Sequence, residues 1–187
     1  MQVAALAIPD VKLITPSKHG DARGFFSEVY NRARFREAGI DLDFVQDNHS
    51  LSRPAGTLRG LHYQSPPAAQ AKLVRVVRGR IWDVAIDLRR GSPSYGRHVA
   101  AELSAESWSQ LLVPVGFAHG FCTLEPDTEV IYKVTSHYAP EHDRGLRWDD
   151  PALGIAWPVA AGSVLLSDKD RALPGWAEFD SPFTYPG

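Results

Sequence analysis

The chain has 187 residues, of which 44% are hydrophobic and 22% are charged, and its formal net charge is −2. This length provides one well-buried core and is too short for two full-size domains, so we predict a single domain over residues 1–187. The near-neutral charge excludes a general attraction to nucleic acid or to an anionic membrane, and no apolar stretch approaches the ~18 residues of a membrane span.

The first twelve residues carry no basic flank and no small-residue cleavage site, so we expect no secretion signal and a cytoplasmic location. The only cysteine, Cys122, excludes an intramolecular disulfide framework. It lies in the apolar run 120–124, where we interpret it as a small buried hydrophobe and not as a nucleophile.

Fourteen prolines and fifteen glycines divide the chain into short runs rich in β-branched and aromatic residues, which favours strands over helices. Asn31 can cap a helix over residues 32–38 that ends at Gly39, and Ser104 can cap a second short helix over residues 105–109. We therefore predict an all-β fold, a small closed or jelly-roll barrel with one or two short helices. The predicted strands are 24–30, 58–64, 72–78, 81–88, 98–103, 110–115, 120–124, 129–136 and 164–167.

The clearest of these strands form a hairpin around the turn signal Gly79. In its second arm, Trp82, Val84, Ile86 and Leu88 alternate with more polar positions. Side chains on a strand point to opposite faces in turn, so this arm places its large apolar groups on one face. The other face carries Asp83, Ala85 and Asp87.

Several common catalytic motifs are missing, and a metal site has to be considered next. The chain contains no GxGxxG, P-loop, GxSxG or CxxC pattern. Residues 113–119 (VPVGFAH) resemble the second half of the cupin signature, whose first half supplies two histidines and a glutamate. Here His62 keeps the first histidine, but Gln64 and Lys72 replace the other two ligands. Because an ammonium group has no lone pair and repels a cation, we predict no metal.

Four polar groups remain for the interior of such a barrel: His62, Lys72, His119 and Tyr132. Each alone is typical of a hydrogen-bonded core residue. Together they place ionisable groups on adjoining strands where apolar groups would pack better, which is costly unless the groups have a task.

The same residues lie in blocks that resemble a known family. The blocks are 20–26 (GDARGFF), 44–50 (FVQDNHS), 58–64 (LRGLHYQ), 114–121 (PVGFAHGF), 129–134 (EVIYKV) and 165–170 (LLSDKD). In order and spacing they resemble the dTDP-4-dehydrorhamnose 3,5-epimerases. The resemblance implies a single cupin-type jelly-roll epimerase domain that needs no cofactor. It implies inversion of C3 and C5 of dTDP-4-keto-6-deoxy-D-glucose, giving dTDP-4-keto-L-rhamnose, and a homodimer with an exchanged N-terminal strand.

The resemblance also assigns catalytic roles. It implies that His62 is the base, since an imidazole titrates near neutral pH, and that Asp170 orients its ring. Taken alone, Asp170 between Lys169 and Arg171 would be interpreted as an exposed loop carboxylate. Lys72 would stabilise the enolate oxygen and Tyr132 would deliver the proton from the opposite face. His119 would lie near the same carbonyl.

Further positions are implied to bind the substrate. Guanidinium groups suit the diphosphate, although strict alternation would place Arg59 and His62 on opposite faces unless Gly60 hosts a bulge. Relatives are expected to carry glutamate at the position of Asp143. The binding residues implied are Arg23 and Arg59 for the diphosphate, Phe26, Glu28, Gln46, Asp47, Asn48 and Tyr138 for the nucleoside, and Lys72, His119, Asp143 and Lys169 elsewhere in the site.

Other functions remain open from the sequence. A 3- or 5-mono-epimerase, or a 3,4-ketoisomerase acting on a related sugar nucleotide, would use the same enolate chemistry. A non-catalytic sugar-nucleotide-binding barrel would need the diphosphate arginines but not the combination of His62, Lys72 and Tyr132. A metal-dependent cupin oxygenase is opposed by Gln64 and Lys72.

Overall fold

The computed structural model describes residues 1–186, and most of its strands form two antiparallel sheets. The six-stranded sheet contains, in spatial order, β1 (Gln2–Ala5), β2 (Lys12–Thr15), β10 (Gln110–Val113), β7 (Lys72–Arg78), β12 (Thr128–Val134) and β5 (Gln46–Ser52). The five-stranded sheet contains β13 (Asp143–Gly145), β6 (Leu58–Gln64), β11 (Phe117–Thr123), β8 (Arg80–Asp87) and β9 (His98–Ser104). A separate hairpin consists of β3 (His19–Asp21) and β4 (Gly24–Phe26).

The helical segments are short. They are α1 (Arg32–Glu37), α2 (Asp168–Arg171) and the 3-10 turns Pro140–His142, Ala161–Ser163 and Trp176–Glu178. Among the described residues, no helix has the length and apolar character needed to cross a membrane. This all-β jelly roll with two short helices confirms the predicted fold class.

The two sheets enclose the main core, and the five-stranded sheet has a second core on its outer face. Strand β8 contributes to both, because successive side chains of a strand point to opposite faces. Ile81 and Ala85 pack between the sheets, whereas Val84 and Ile86 pack outward against Leu146 and the C-terminal segment. All of these side chains are fully buried, and each large one contributes about 1.5–3 kcal/mol by leaving water.

Helix α1 forms as predicted. The Asn31 side chain accepts hydrogen bonds from the backbone N–H groups of Ala33 (3.0 Å) and Arg34 (3.3 Å). The chain leaves the helix through Gly39, whose φ of +79° is one that glycine adopts without steric cost. Phe35 anchors the helix in a cluster on the outer face of the six-stranded sheet, next to Leu73.

Three predicted elements differ in the structure. Residues 105–109 form a turn and not a helix, because the Ser104 and Ser107 hydroxyls bind each other's backbone N–H groups and Trp108 has a φ of +63°. The predicted strand 24–30 ends at Phe26. Residues 164–167 form no strand, although Leu165 makes an isolated parallel bridge with Thr57.

Candidate active site

A cavity of about 510 Å³ opens between the two sheets. Most of its polar groups belong to the residues singled out in the sequence, including the four interior groups. The lining residues are Ser50, Thr57, Leu58, Arg59, His62, Lys72, His119, Phe121, Tyr132, Leu165, Leu166, Ser167, Lys169 and Asp170.

The four interior groups come from two different walls. His62 on β6 lies directly opposite His119 on β11, so both project from the five-stranded sheet. Lys72 on β7 pairs with Val134 of β12, two residues from Tyr132, so Lys72 and Tyr132 project together from the six-stranded sheet. A ligand lodged in the cavity therefore has a histidine on one side and a tyrosine on the other.

A bulge at Gly60 lets one strand supply both Arg59 and His62 to this cavity. In the β6–β11 ladder, His62 pairs with His119 while Arg59 pairs with Phe121, so β6 contains one extra residue. Gly60 has a φ of +127°, and a Cβ at this position would lie 2.6 Å from the Cα of Gly120. Only glycine fits there. The bulge at Gly60, which the sequence analysis considered but did not decide, is present.

His62 is paired with Asp170. Its Nε2 lies 2.6 Å from Asp170 Oδ1, which leaves the other ring nitrogen for a ligand. Asp170 lies in the first turn of α2, where Ser167 caps the helix by accepting from the Asp170 N–H at 3.1 Å. Burial raises the pKa of Asp170, but hydrogen bonds from His62, Ser167 and the Gly60 backbone outweigh it and hold this pKa below its usual value. The carboxylate therefore stays charged and orients the ring.

Lys72 is a buried ammonium group. Its Nζ donates to the backbone carbonyl of His62 at 3.3 Å, which fixes the charge beside the histidine. Burial lowers the pKa of Lys72 to about 8, although the charges of Asp83 and Asp143 act in the opposite direction. The group is therefore cationic at neutral pH but close to losing its proton.

Tyr132 is half-buried in the wall that carries Lys72, opposite His62. Burial raises the pKa of its phenol, and the positive charge of Arg59 opposes this shift. Because a raised pKa keeps the hydroxyl protonated at neutral pH, Tyr132 can donate a proton into the cavity.

The sequence analysis missed Asp83 as a member of the site. This fully buried carboxylate places Oδ1 2.7 Å from Nε2 of His119. Its Oδ2 has no hydrogen-bond partner among the described residues. The alternation in β8 had placed Asp83 on the same face as Ala85, opposite the large apolar side chains, without saying which face is the inner one. A carboxylate within an apolar strand needs a partner when it is buried, which was the available signal.

Lys169 lines the cavity, and an ion pair and hydrogen bonds connect it to four further predicted residues. Asp143 accepts from the Tyr138 hydroxyl at 2.9 Å and forms an ion pair with Lys169. Gln46 accepts from the backbone N–H of Tyr138 at 3.0 Å and donates to Asn48 at 2.9 Å. The position where glutamate was expected thus holds an aspartate that links Tyr138 to Lys169.

Four other predicted residues lie away from the cavity within this chain. Arg23 pairs with Asp21 in the exposed β3–β4 hairpin, whose Phe26 is 72% exposed. Glu28 forms an ion pair with Arg34. Asp47 lies on the opposite face of β5 from Asn48 and pairs with Lys133 at 2.9 Å. Their positions leave their predicted contacts with the ligand untested.

Fold and site together define a class of protein. A cupin-type jelly roll with a histidine–aspartate pair facing a protonated tyrosine suits acid–base chemistry on a ligand held between its sheets.

The comparisons with known proteins lead to one family. The family model described as dTDP-4-dehydrorhamnose 3,5-epimerase matches residues 5–178. A curated relative, the dTDP-4-dehydrorhamnose 3,5-epimerase of Sinorhizobium fredii, is 55% identical over 185 residues, covering 99% of this chain and 94% of the relative.

Two solved structures agree with this result. The dTDP-4-dehydrorhamnose 3,5-epimerase of Bacillus anthracis, with TDP and PPi bound, superposes with a TM-score of 0.90 at 50% identity, covering 93% of this chain and 98% of that one. The dTDP-6-deoxy-D-glucose-3,5-epimerase of Legionella pneumophila, in complex with dTDP-4-keto-L-rhamnose, has a TM-score of 0.94 at 42% identity, covering 100% and 99%. The chain belongs to the dTDP-4-dehydrorhamnose 3,5-epimerase family. The predicted resemblance and enzyme class, an isomerase, are confirmed.

Proposed function

We propose that this chain inverts C3 and C5 of dTDP-4-keto-6-deoxy-D-glucose through enolate intermediates, giving dTDP-4-keto-L-rhamnose without a metal or other cofactor. The observation that carries the proposal is the placement of His62 and Tyr132 on opposite walls of one cavity. Inversion requires a proton to leave one face of a carbon and another to arrive on the other face.

In each inversion, the carbon loses one proton and gains one proton. His62 takes the proton from C3 or C5, and the electron pair of that C–H bond moves into the C4 carbonyl to give an enolate. Lys72 stabilises the oxygen of the enolate, with His119 beside it. Tyr132 delivers a proton to the same carbon from the other face and the carbonyl re-forms. Exchange with water then removes the proton from His62 and restores that of Tyr132, so the product is an isomer.

The donor groups of the cavity argue against a metal-assisted reaction. Lys72 is a cation in the place of a cupin ligand, where it would repel a metal ion, and Gln64 takes the place of a second ligand. Within residues 1–186, no cluster of three or more histidine, cysteine, aspartate or glutamate side chains is arranged to hold a metal ion.

The exposed β3–β4 hairpin, which lies away from the cavity of its own chain, supports a homodimer as part of the proposal. The β3–β4 hairpin exposes Phe25 (54%), Phe26 (72%) and Arg23, an aromatic and cationic surface suited to a nucleotide base and a diphosphate. Strand β1 lies at the edge of the six-stranded sheet, where it could exchange with a neighbour. We propose that this hairpin completes the site of a second copy, and that the enzyme works in the cytoplasm, where its lone cysteine would stay reduced.

The test is hydrogen exchange in heavy water. Chelator-treated protein is incubated with dTDP-4-keto-6-deoxy-D-glucose, and deuterium at C3 and C5 is counted by NMR. Deuterium at both carbons, undiminished by chelator, supports the proposal. Deuterium at one carbon indicates a mono-epimerase, and a ketone moved to C3 indicates a ketoisomerase. Tight binding without exchange would leave only a sugar-nucleotide-binding protein.

Activity is expected to fall as the pH rises above about 8. Lys72 must be charged to stabilise the enolate, and burial lowers its pKa to about 8, so the charge is lost above that pH. The pKa of Tyr132 is raised, so its phenol is still protonated at the pH where Lys72 loses its charge. The measurement is kcat/KM between pH 6 and 10. In Lys72→Arg, whose side chain stays charged throughout this range, whatever activity remains should persist at high pH. A flat profile to pH 9.5 in the unchanged protein would contradict this assignment.

Asp83→Asn is expected to move the high-pH loss of activity to lower pH, because a neighbouring carboxylate favours the charged form of a lysine. The amide keeps the size of the side chain and can still bind His119. The pH profile measures this effect, and thermal denaturation checks that the variant is folded. A lower rate at every pH with an unmoved profile would mean that Asp83 acts only through the structure.

A further inference from the structure

Strand β5 carries four polar side chains along one face: Gln46, Asn48, Ser50 and Ser52. Three of them have partners. Gln46 donates to Asn48 at 2.9 Å, and the Ser52 hydroxyl accepts from Nε of Arg59 at 3.1 Å. The Ser50 hydroxyl is buried and has no hydrogen-bond partner among residues 1–186. Leaving a buried hydroxyl unpaired costs free energy, which a ligand that pairs with it would recover.

Ser50 belongs to the cavity of His62 and Tyr132, whereas Gln46 and Asn48 lie outside its lining. Its position along β5 indicates which part of a ligand it meets. Ser52, two residues away on one side, holds the guanidinium of Arg59. Asn48, two residues away on the other side, is the cross-strand partner of Tyr132. Ser50 therefore lies between the cation that suits a phosphate and the acid that protonates a ring carbon.

We propose that the Ser50 hydroxyl binds the C2 hydroxyl of the sugar and makes the enzyme selective for 2-hydroxy over 2-deoxy substrates. This inference rests on the proposed function, which places the diphosphate at Arg59 and the reacting carbons near Tyr132. C1 carries the phosphate and C3 is the first reacting carbon, so C2 and its hydroxyl lie between them. A hydroxyl can both donate to and accept from another hydroxyl, which fits Ser50 to this neighbour.

The test is binding calorimetry with two ligands that cannot react, dTDP-glucose and dTDP-2-deoxyglucose. The unchanged protein should bind the 2-hydroxy ligand about tenfold more tightly, and Ser50→Ala should lose this preference, since both changes remove the same hydrogen bond. Affinity for dTDP itself should not change. Because Ser50→Ala removes an unpaired buried hydroxyl, its melting temperature should be equal or higher.

Ser52→Ala is the matched control on the same strand. It should weaken dTDP and both sugar ligands alike, because it releases the arginine that would hold the diphosphate. If Ser50→Ala weakens both sugar ligands equally, or also weakens dTDP, the C2 contact is wrong. Hydrogen exchange by the unchanged protein tests the proposed function separately, since these affinities do not depend on turnover.

Discussion

Replacement of His62 by alanine is expected to lower deuterium incorporation at both C3 and C5 by about 10²–10⁴-fold, the usual contribution of a general base. Both exchanges should be lost together because His62 is the one group in the proposed mechanism that removes a proton, and its pairing with Asp170 at 2.6 Å orients the ring for that step. The measurement is NMR of the substrate in heavy water. Affinity for dTDP, measured by calorimetry, should remain within a few-fold.

His62→Asn is the companion variant, because alanine leaves Asp170 buried without its partner and can unfold the α2 segment. Asparagine keeps a donor for that carboxylate but cannot accept a proton at neutral pH. Its melting temperature should therefore stay closer to that of the unchanged protein, while exchange remains lost. Exchange within tenfold of the unchanged protein in a folded His62→Asn variant would remove His62 from the role of base.

Lys72→Met is expected to lower kcat by about 10²–10³-fold, the loss that follows removal of a single group stabilising an oxyanion, equivalent to about 3–4 kcal/mol. Methionine fills a similar volume and has no charge. Because burying an ammonium group is costly, the variant should be at least as stable as the unchanged protein, which separates a catalytic loss from unfolding. The measurements are single-turnover epimerisation and thermal denaturation.

A cation of another shape provides the control for this variant. Lys72→Arg keeps the charge but places a broader planar group in the same buried position, so partial activity is expected. If Lys72→Met retains more than a tenth of the kcat of the unchanged protein, the enolate oxygen must be stabilised by another group. His119 would be the first to examine, since it faces the same cavity.

The parts of the fold that the sequence predicted well have one apolar and one polar face, or a recognisable cap. Strand β8 and helix α1 are of this kind. Strand β5 was not predicted as a strand, because both of its faces are polar and its alternation has no hydrophobic signal. The predicted helix after Ser104 failed because serine hydroxyls stabilise turns as well as helix starts.

The grouping of His62, Lys72 and Tyr132 in one site was predictable from residue type and strand position, whereas their individual roles came from the family resemblance. Asp170 was not predictable in this way: a carboxylate between two cations resembles a solvated loop, and only the short helix α2 buries it. The shared direction of Arg59 and His62 depends on one extra residue at Gly60, which no periodic pattern reveals. The burial of Asp170 and the bulge at Gly60 are features of the tertiary structure. Only the family resemblance of the chain predicted the role of Asp170.

The placement of the proposed acid and base on separate sheets also bears on how this enzyme can evolve. Stacked sheets lie about 10 Å apart, a spacing maintained by the apolar side chains between them. Here those side chains include Val74, Val76 and Ala85. The gap across which a carbon is inverted is therefore a property of the hydrophobic core and not of any single loop. Mutations in that core, far from the substrate, could change which of two carbons loses its proton while leaving every catalytic residue in place.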